Sequence, residues 1–264
     1  RAVTLHDIDA PLNMKTVLIA DRSRSTRSLT PENDVTNNDA IAQARNVERV
    51  RAVETHLAAV HGNGRMVVGM AKKVRELLRT EYLPPANIDD LHFGAERGLN
   101  FAKQHVAALS IGRMELPVWT LDAYAAALGY DDVEPLVLMD PRGDGMLSDS
   151  EPLKPLLLPQ ILPMRDGSDV TMQVPMAPEG SWQRTVQQQF REESIRQFAG
   201  RLRPVYRQDT PVLYIMSQCV PSGIVIDDIV ATDDLIPNYV PLLDAARANG
   251  GIIDPQRLHR SRAD

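Results

Sequence analysis

The chain lacks the means for a covalent or metal-built framework. It has a single cysteine, Cys219, so no internal disulfide can form and no cysteine cluster can hold zinc. A reducing interior such as the cytoplasm is the expected compartment. Lysine is scarce too: Lys15, Lys72, Lys73, Lys103 and Lys154 are the whole set, and none follows a glycine. A Gly-Lys-Thr or Gly-Lys-Ser phosphate-binding loop is therefore excluded from these residues. No Asp-Glu-x-His box follows a strand, and no Gly-x-Ser-x-Gly elbow supports a serine nucleophile. No apolar run approaches the roughly 18 residues of a membrane span, and no secretory leader is visible. Net charge is -6, so any nucleic-acid contact must come from a local basic patch. Aromatics are few. Trp119, Trp182 and Tyr206 could stack on bases, but the tryptophans are expected in the core. The chain opens on Arg1 and is read as a piece of a longer protein.

What is present is an alternation of short buried strands and helices. Residues 14–20 form an apolar run that stops at Asp21, as a strand buried on both faces would. The polar stretch 22–38 reads as a loop. From 39 to 60, Val47, Val50, Val53, Leu57 and Val60 recur every three or four positions, which predicts an amphipathic helix ended by His61-Gly62-Asn63-Gly64. A strand at 66–70, a helix at 71–82 broken by Pro84-Pro85, and strands at 88–93 and 106–111 follow. Thr120 is expected to cap a helix through Leu128. The pattern predicts an α/β fold with a mainly parallel sheet flanked by helices. Residues 131–181 differ in character, being rich in proline. There, Arg165-Asp166-Gly167-Ser168 between two apolar segments predicts an inserted β-hairpin. A long helix at 182–199 and strands at 211–217 and 224–231 complete the pattern.

Charge concentrates in one segment. Between residues 191 and 207, Arg191, Arg196, Arg201, Arg203 and Arg207 stand against only Glu192 and Glu193. Gly200 is expected to let the backbone turn. A guanidinium is permanently charged and donates in a planar fork, which suits phosphate oxygens. Supplied across a cleft, it accelerates phosphoryl transfer by about 10³–10⁵ in well-studied cases. The competing reading is a helix end whose arginines offset its own dipole or pair with neighbouring acids.

The residues Gln197-x-x-Gly200-Arg201-x-Arg203 resemble motif VI of superfamily-two (DEAD/DEAH-like) helicases, the arginine-finger motif. That family places its second arginine three residues after the first, where this chain has Pro204; Arg203 or Arg207 then takes that role. Gly94-Ala-Glu-Arg97-Gly98-Leu-Asn100 resembles motif V of the same enzymes, and residues 65–74, with Lys72 and Lys73, resemble motif IV. The three segments occur in family order. The resemblance implies the C-terminal RecA-like lobe of an ATP-dependent helicase or translocase. It implies Arg201, Arg203 and Gln197 as catalytic residues, and Gly200, Arg207, Arg97, Gly98 and Asn100 as ATP-binding. Lys72 and Lys73 would touch backbone phosphates of DNA or RNA. ATP and Mg would be held mainly by an N-terminal RecA-like lobe of the same full-length chain, which this chain lacks.

On this reading residues 1–35 are the trailing edge of that first lobe, 36–240 the second lobe with the hairpin region at 131–181, and 241–264 a weakly structured tail. The alternative from another class is a non-catalytic, helicase-like interaction module. A minor alternative is a calcium loop at 140–151, where Asp140, Asp144, Gly145 and Glu151 fit EF-hand positions. Arg142 at the third position and prolines on both sides oppose it. No other metal site is expected.

Overall fold

The structure, a computed structural model, describes residues 12–22, 24–30, 37–80, 82–95, 101–129, 133–136, 138–139 and 154–236. The main strands are β1 (Lys15–Ile19), β2 (Met66–Met70), β3 (Ile88–His92), β4 (Ala107–Ile111), β5 (Leu157–Pro163), β6 (Asp169–Pro175), β7 (Val212–Met216) and β8 (Asp228–Val230). The helices are α1 (Thr26–Leu29), α2 (Asn37–His61), α3 (Lys72–Arg79), α4 (Val118–Gly129), α5 (Trp182–Gln187), α6 (Glu193–Gly200) and α7 (Thr232–Leu235).

Six strands form one sheet in the order β3-β2-β4-β7-β1-β8, and every neighbouring pair is parallel. The fold is therefore α/β with a parallel sheet flanked by helices, the architecture the sequence predicts. The central strands are buried along their length because their residues are apolar on both sides of the pleat. Alternate side chains serve opposite faces. On one face, Val17, Ile19, Met66, Val68, Met70, Leu109, Ile111, Tyr214 and Met216 meet Val50, Val53 and Leu57 of α2 and Val74 and Leu78 of α3. On the other, Leu18, Val67, Ala108, Leu213 and Ile215 meet Ile195, Phe198 and Ala199 of α6. Gly69 belongs to this second face: a Cβ there would lie 2.6 Å from the Phe198 ring, so the aromatic occupies the space a side chain would need.

β1, read from sequence as the trailing edge of a preceding lobe, is an interior strand of this sheet, bonded to β7 on one side and β8 on the other. Helix α2 ends as expected, with Gly62 at φ +55 past His61. Helix α4 starts two residues before the expected Thr120 cap. Pro117 offers its carbonyl to the amides of Thr120 and Leu121, so the chain is already helical when Thr120 is reached. The helix expected at 182–199 is continuous but not uniform. Ser181 caps it by accepting from the Arg184 amide at 3.1 Å, and a π-helical turn at residues 188–192 separates α5 from α6.

The inserted hairpin is present as β5 and β6, paired antiparallel from Leu157–Pro175 to Pro163–Asp169. Gly167 at φ +87 makes the turn. The hairpin is tied to the core: Met164 bridges Ile226, Arg165 pairs with Asp227 at 2.6 Å, and Gln160 donates to the Val220 carbonyl at 2.7 Å. The tryptophans are not in the core. Trp119 is 74% exposed, and Trp182 is 46% exposed, lying against Gly129. The calcium-loop segment and the C-terminal tail lie outside the described residues.

Candidate functional site

Helix α6 carries the arginine-rich segment back across the second face of the sheet. At its start Arg196 donates to Ser222, beyond the carboxyl end of β7, and pairs with Glu193 at 2.7 Å. At its exit Arg207 donates to the carbonyl of His105, just before β4 begins. The Pro204 carbonyl there accepts from the Asn13 amide, just before β1. The exit therefore lies toward the amino ends of the strands. Ile195, Phe198, Ala199 and Leu202 point into the core, and Gln197 is half-buried between them.

Gly200 does not make the turn expected of it. Its φ is not positive and it is the last residue of α6, with open space where a Cβ would stand. The reversal falls at Arg203, whose φ of 55 is left-handed. The amides of Arg201, Leu202 and Arg203 each bond three residues back, which tightens the helix end. A left-handed arginine takes the position where glycine usually stands, and the cyclic Pro204 prevents further helix.

The five arginines then separate by environment. Arg191 is buried against Glu115 and donates to the Pro175 carbonyl. Arg196 serves the start of α6. Arg207 pairs with Asp209 and donates to the carbonyls of His105 and Leu202, so it ties the turn to the fold. Arg201 is half-buried and Arg203 exposed.

The motif V-like loop begins at Phe93 and Gly94, the latter at φ +91. Residues 96–100, and with them Arg97, Gly98 and Asn100, lie outside the described residues. Both flanks of that segment pack on α6 and its exit. Phe93 meets Phe198 edge-on, ring centroids 6.1 Å apart, and Ala102 joins the cluster holding Ala199 and Leu202. The structure thus brings Phe93 and Ala102, the residues flanking that segment, onto the same face as the VI-like segment. Lys72 and Lys73 are elsewhere. They open α3 at the carboxyl end of β2, exposed, with Lys72 loosely paired to Glu76 at 3.9 Å, and α3 packs on the opposite face.

Two charged clusters have no counterpart in the sequence reading. At the carboxyl ends of β4 and β7, Glu115 accepts from Arg113 and Arg191 beside the buried Cys219, while Arg184 pairs with Glu192. Burial opposes the Glu115 charge, but Arg191 and Arg113 outweigh it and hold its carboxyl below the usual range. Burial pushes the Cys219 thiol up to about 11, against the pull of Arg191 and Arg113. After β1, Arg24 is left-handed at φ 44 and buried, donating to Thr232 at 2.8 Å and Asn46 at 3.3 Å. Burial pushes its guanidinium down to about 10. No sequence pattern marks either cluster, because their partners come from distant segments.

Among the described residues, no group of three or more His, Cys, Asp or Glu could hold a metal ion. The guanidinium donors at the exit of α6 fit phosphate oxygens and not a cation. Also among the described residues, no helix is long and apolar enough to cross a membrane. Comparison of the chain with known families, curated proteins and solved structures finds no match.

Proposed function

We propose that the chain is the C-terminal, arginine-bearing lobe of a two-lobed, nucleic-acid-dependent ATPase of the helicase type. The observation that carries this reading is the exit of α6. Arg201 and Arg203 stand there, in a helix end packed on both flanks of the Arg97–Asn100 segment. The parallel α/β sheet behind them is consistent with a RecA-like lobe.

In this reading the other lobe supplies the lysine-bearing phosphate loop and the carboxylate that holds Mg. The chemistry of ATP cleavage is then divided. Arg201 and Arg203 would neutralise charge that develops on the terminal phosphate oxygens, and Gln197 would orient water or nucleotide. Arg97 and Asn100 would link closure of the two lobes to the nucleic-acid strand. Lys72 and Lys73, on the opposite face, would meet that strand's phosphates as simple point charges.

The test is ATP turnover by the complete two-lobed enzyme carrying Arg201→Ala. The expected result is a loss of about 10³-fold or more with the helical circular dichroism signal retained, because Phe198, Ala199 and Leu202 keep their apolar contacts. Unchanged turnover would remove the finger assignment and favour the non-catalytic interaction module.

A further inference from the structure

The turn that follows α6 is rigid on one side and open on the other. The Tyr206 amide donates to the Arg203 carbonyl at 3.0 Å, closing a four-residue turn whose ends lie within about 7 Å of each other. The sheet side of this turn is pinned. Asn13 donates its backbone amide to the Pro204 carbonyl, and its side-chain amide donates to the carbonyls of Arg207, Gln208 and Asp209. Thr210 donates in turn to the Asn13 side-chain oxygen at 2.8 Å. Arg207 adds its bonds to the His105 carbonyl and Asp209. The solvent side presents Arg203 and Tyr206, the tyrosine 81% exposed.

A bulky aromatic left in water on a fixed backbone has little conformational freedom to lose on binding, since it turns about only two side-chain bonds. Its neighbour across the turn is Arg203, exposed and carried on a backbone conformation that a non-glycine residue adopts at a cost. One ligand class offers partners for both: a nucleoside triphosphate, with a planar base and an anionic tail in the same molecule. We propose that Tyr206 is a base-stacking residue, its ring lying against the base of the nucleotide whose phosphates Arg201 and Arg203 contact. This rests on the reading of the α6 exit as a nucleotide-facing edge. It adds a residue that the arginine motif does not contain. Stacking is tolerant of base identity, because every base has a π face, so Tyr206 would set affinity and not the choice of base.

The experiment uses the complete two-lobed enzyme with Tyr206→Ala, Tyr206→Phe and, as reference, Arg201→Ala. ATP is the substrate and inorganic tripolyphosphate, which has no base, the competitive inhibitor. Loss of stacking predicts a rise of about 5- to 150-fold in KM for ATP in Tyr206→Ala, with kcat, thermal melting and tripolyphosphate inhibition unchanged. Tyr206→Phe should restore the parent KM. If Arg201→Ala abolishes turnover while Tyr206→Ala leaves KM for ATP alone, or weakens tripolyphosphate in parallel, base stacking is overturned and the finger reading stands. If Arg201→Ala has no effect, the underlying reading falls first.

Discussion

Arg203 reverses the chain in a conformation that an L-residue other than glycine enters at about 1–2 kcal/mol. Arg203→Gly relieves that strain but adds freedom to the unfolded chain worth about 0.5–1 kcal/mol. The expected outcome is a folded state as stable as the parent or slightly more so, measured by thermal melting, alongside reduced ATP turnover in the two-lobed enzyme. A clear drop in melting temperature would mean that the side chain serves the fold and not a ligand. Cys219 gives a second expectation. Burial pushes its thiol up to about 11, so the reactive thiolate is scarce at neutral pH and sheltered as well. A thiol reagent should label the native protein only as fast as this region opens, and at once after denaturation. Immediate labelling of the native protein would contradict the burial. At this scale the sequence singles out Gln197, Arg201 and Arg203 by composition and spacing, a reading that ATP turnover of the variants tests. It misled where geometry decides, giving the turn to Gly200, because a glycine at a helix end can be helical or left-handed with equal ease. It also did not show what Arg207 touches inside the chain, since Asp209 and the His105 carbonyl are brought together only by the fold.

The strands were readable because each central one is an apolar run, and the two-residue period then sends alternate side chains to opposite faces. Gly69 in β2 shows how tightly the second face is filled. Gly69→Ala would drive a methyl group into the Phe198 ring. The expected cost is about 1–3 kcal/mol from overpacking, seen as a lower denaturant midpoint, and Phe198→Leu in the same chain should recover part of it. An additive pair would show that the two side chains do not share the space. The π-helical turn between α5 and α6 was not readable. No residue type marks it, and its effect is on direction: it lets Arg191 and Glu192, adjacent in sequence, both point inward. Arg191 and Arg113 share Glu115 there. Glu115→Gln takes their shared counter-charge from two buried guanidiniums; because the Glu115 side chain is 37% exposed, solvent screening holds the cost below the roughly 3–5 kcal/mol of a fully buried pair. It should lower the denaturant midpoint and speed labelling of the neighbouring Cys219. A parent-like midpoint would place the cluster outside the stabilising framework.

Across the whole molecule, the amino ends of β3 and β4 are joined by a pH-sensitive contact. Asp89 accepts from Arg65 and from His105, the latter at 2.6 Å. The Arg65 bond, aided by His105 and opposed by partial burial, holds the Asp89 carboxyl below its usual range. A carboxyl depressed in the folded state stabilises the fold fully above its unfolded value of about 3.9. That contribution disappears as pH falls through the folded pKa. Asp89→Asn should therefore lower the denaturant midpoint at about pH 7 and leave a smaller difference from the parent at about pH 3; an equal difference at both would discard the linkage. What no local pattern encodes is strand order. The alternation of strands and helices announces a parallel sheet, but nothing near residue 15 says that β1 will sit between β7 and β8. That placement bears on synthesis. β1 ends at Ile19, while its neighbours begin at Val212 and Asp228. A ribosome adding about 5–20 residues per second takes on the order of ten to forty seconds between them. Throughout that interval a nascent chain carries an apolar strand with both hydrogen-bonding edges open, and its sheet can close only once β7 and β8 have been made.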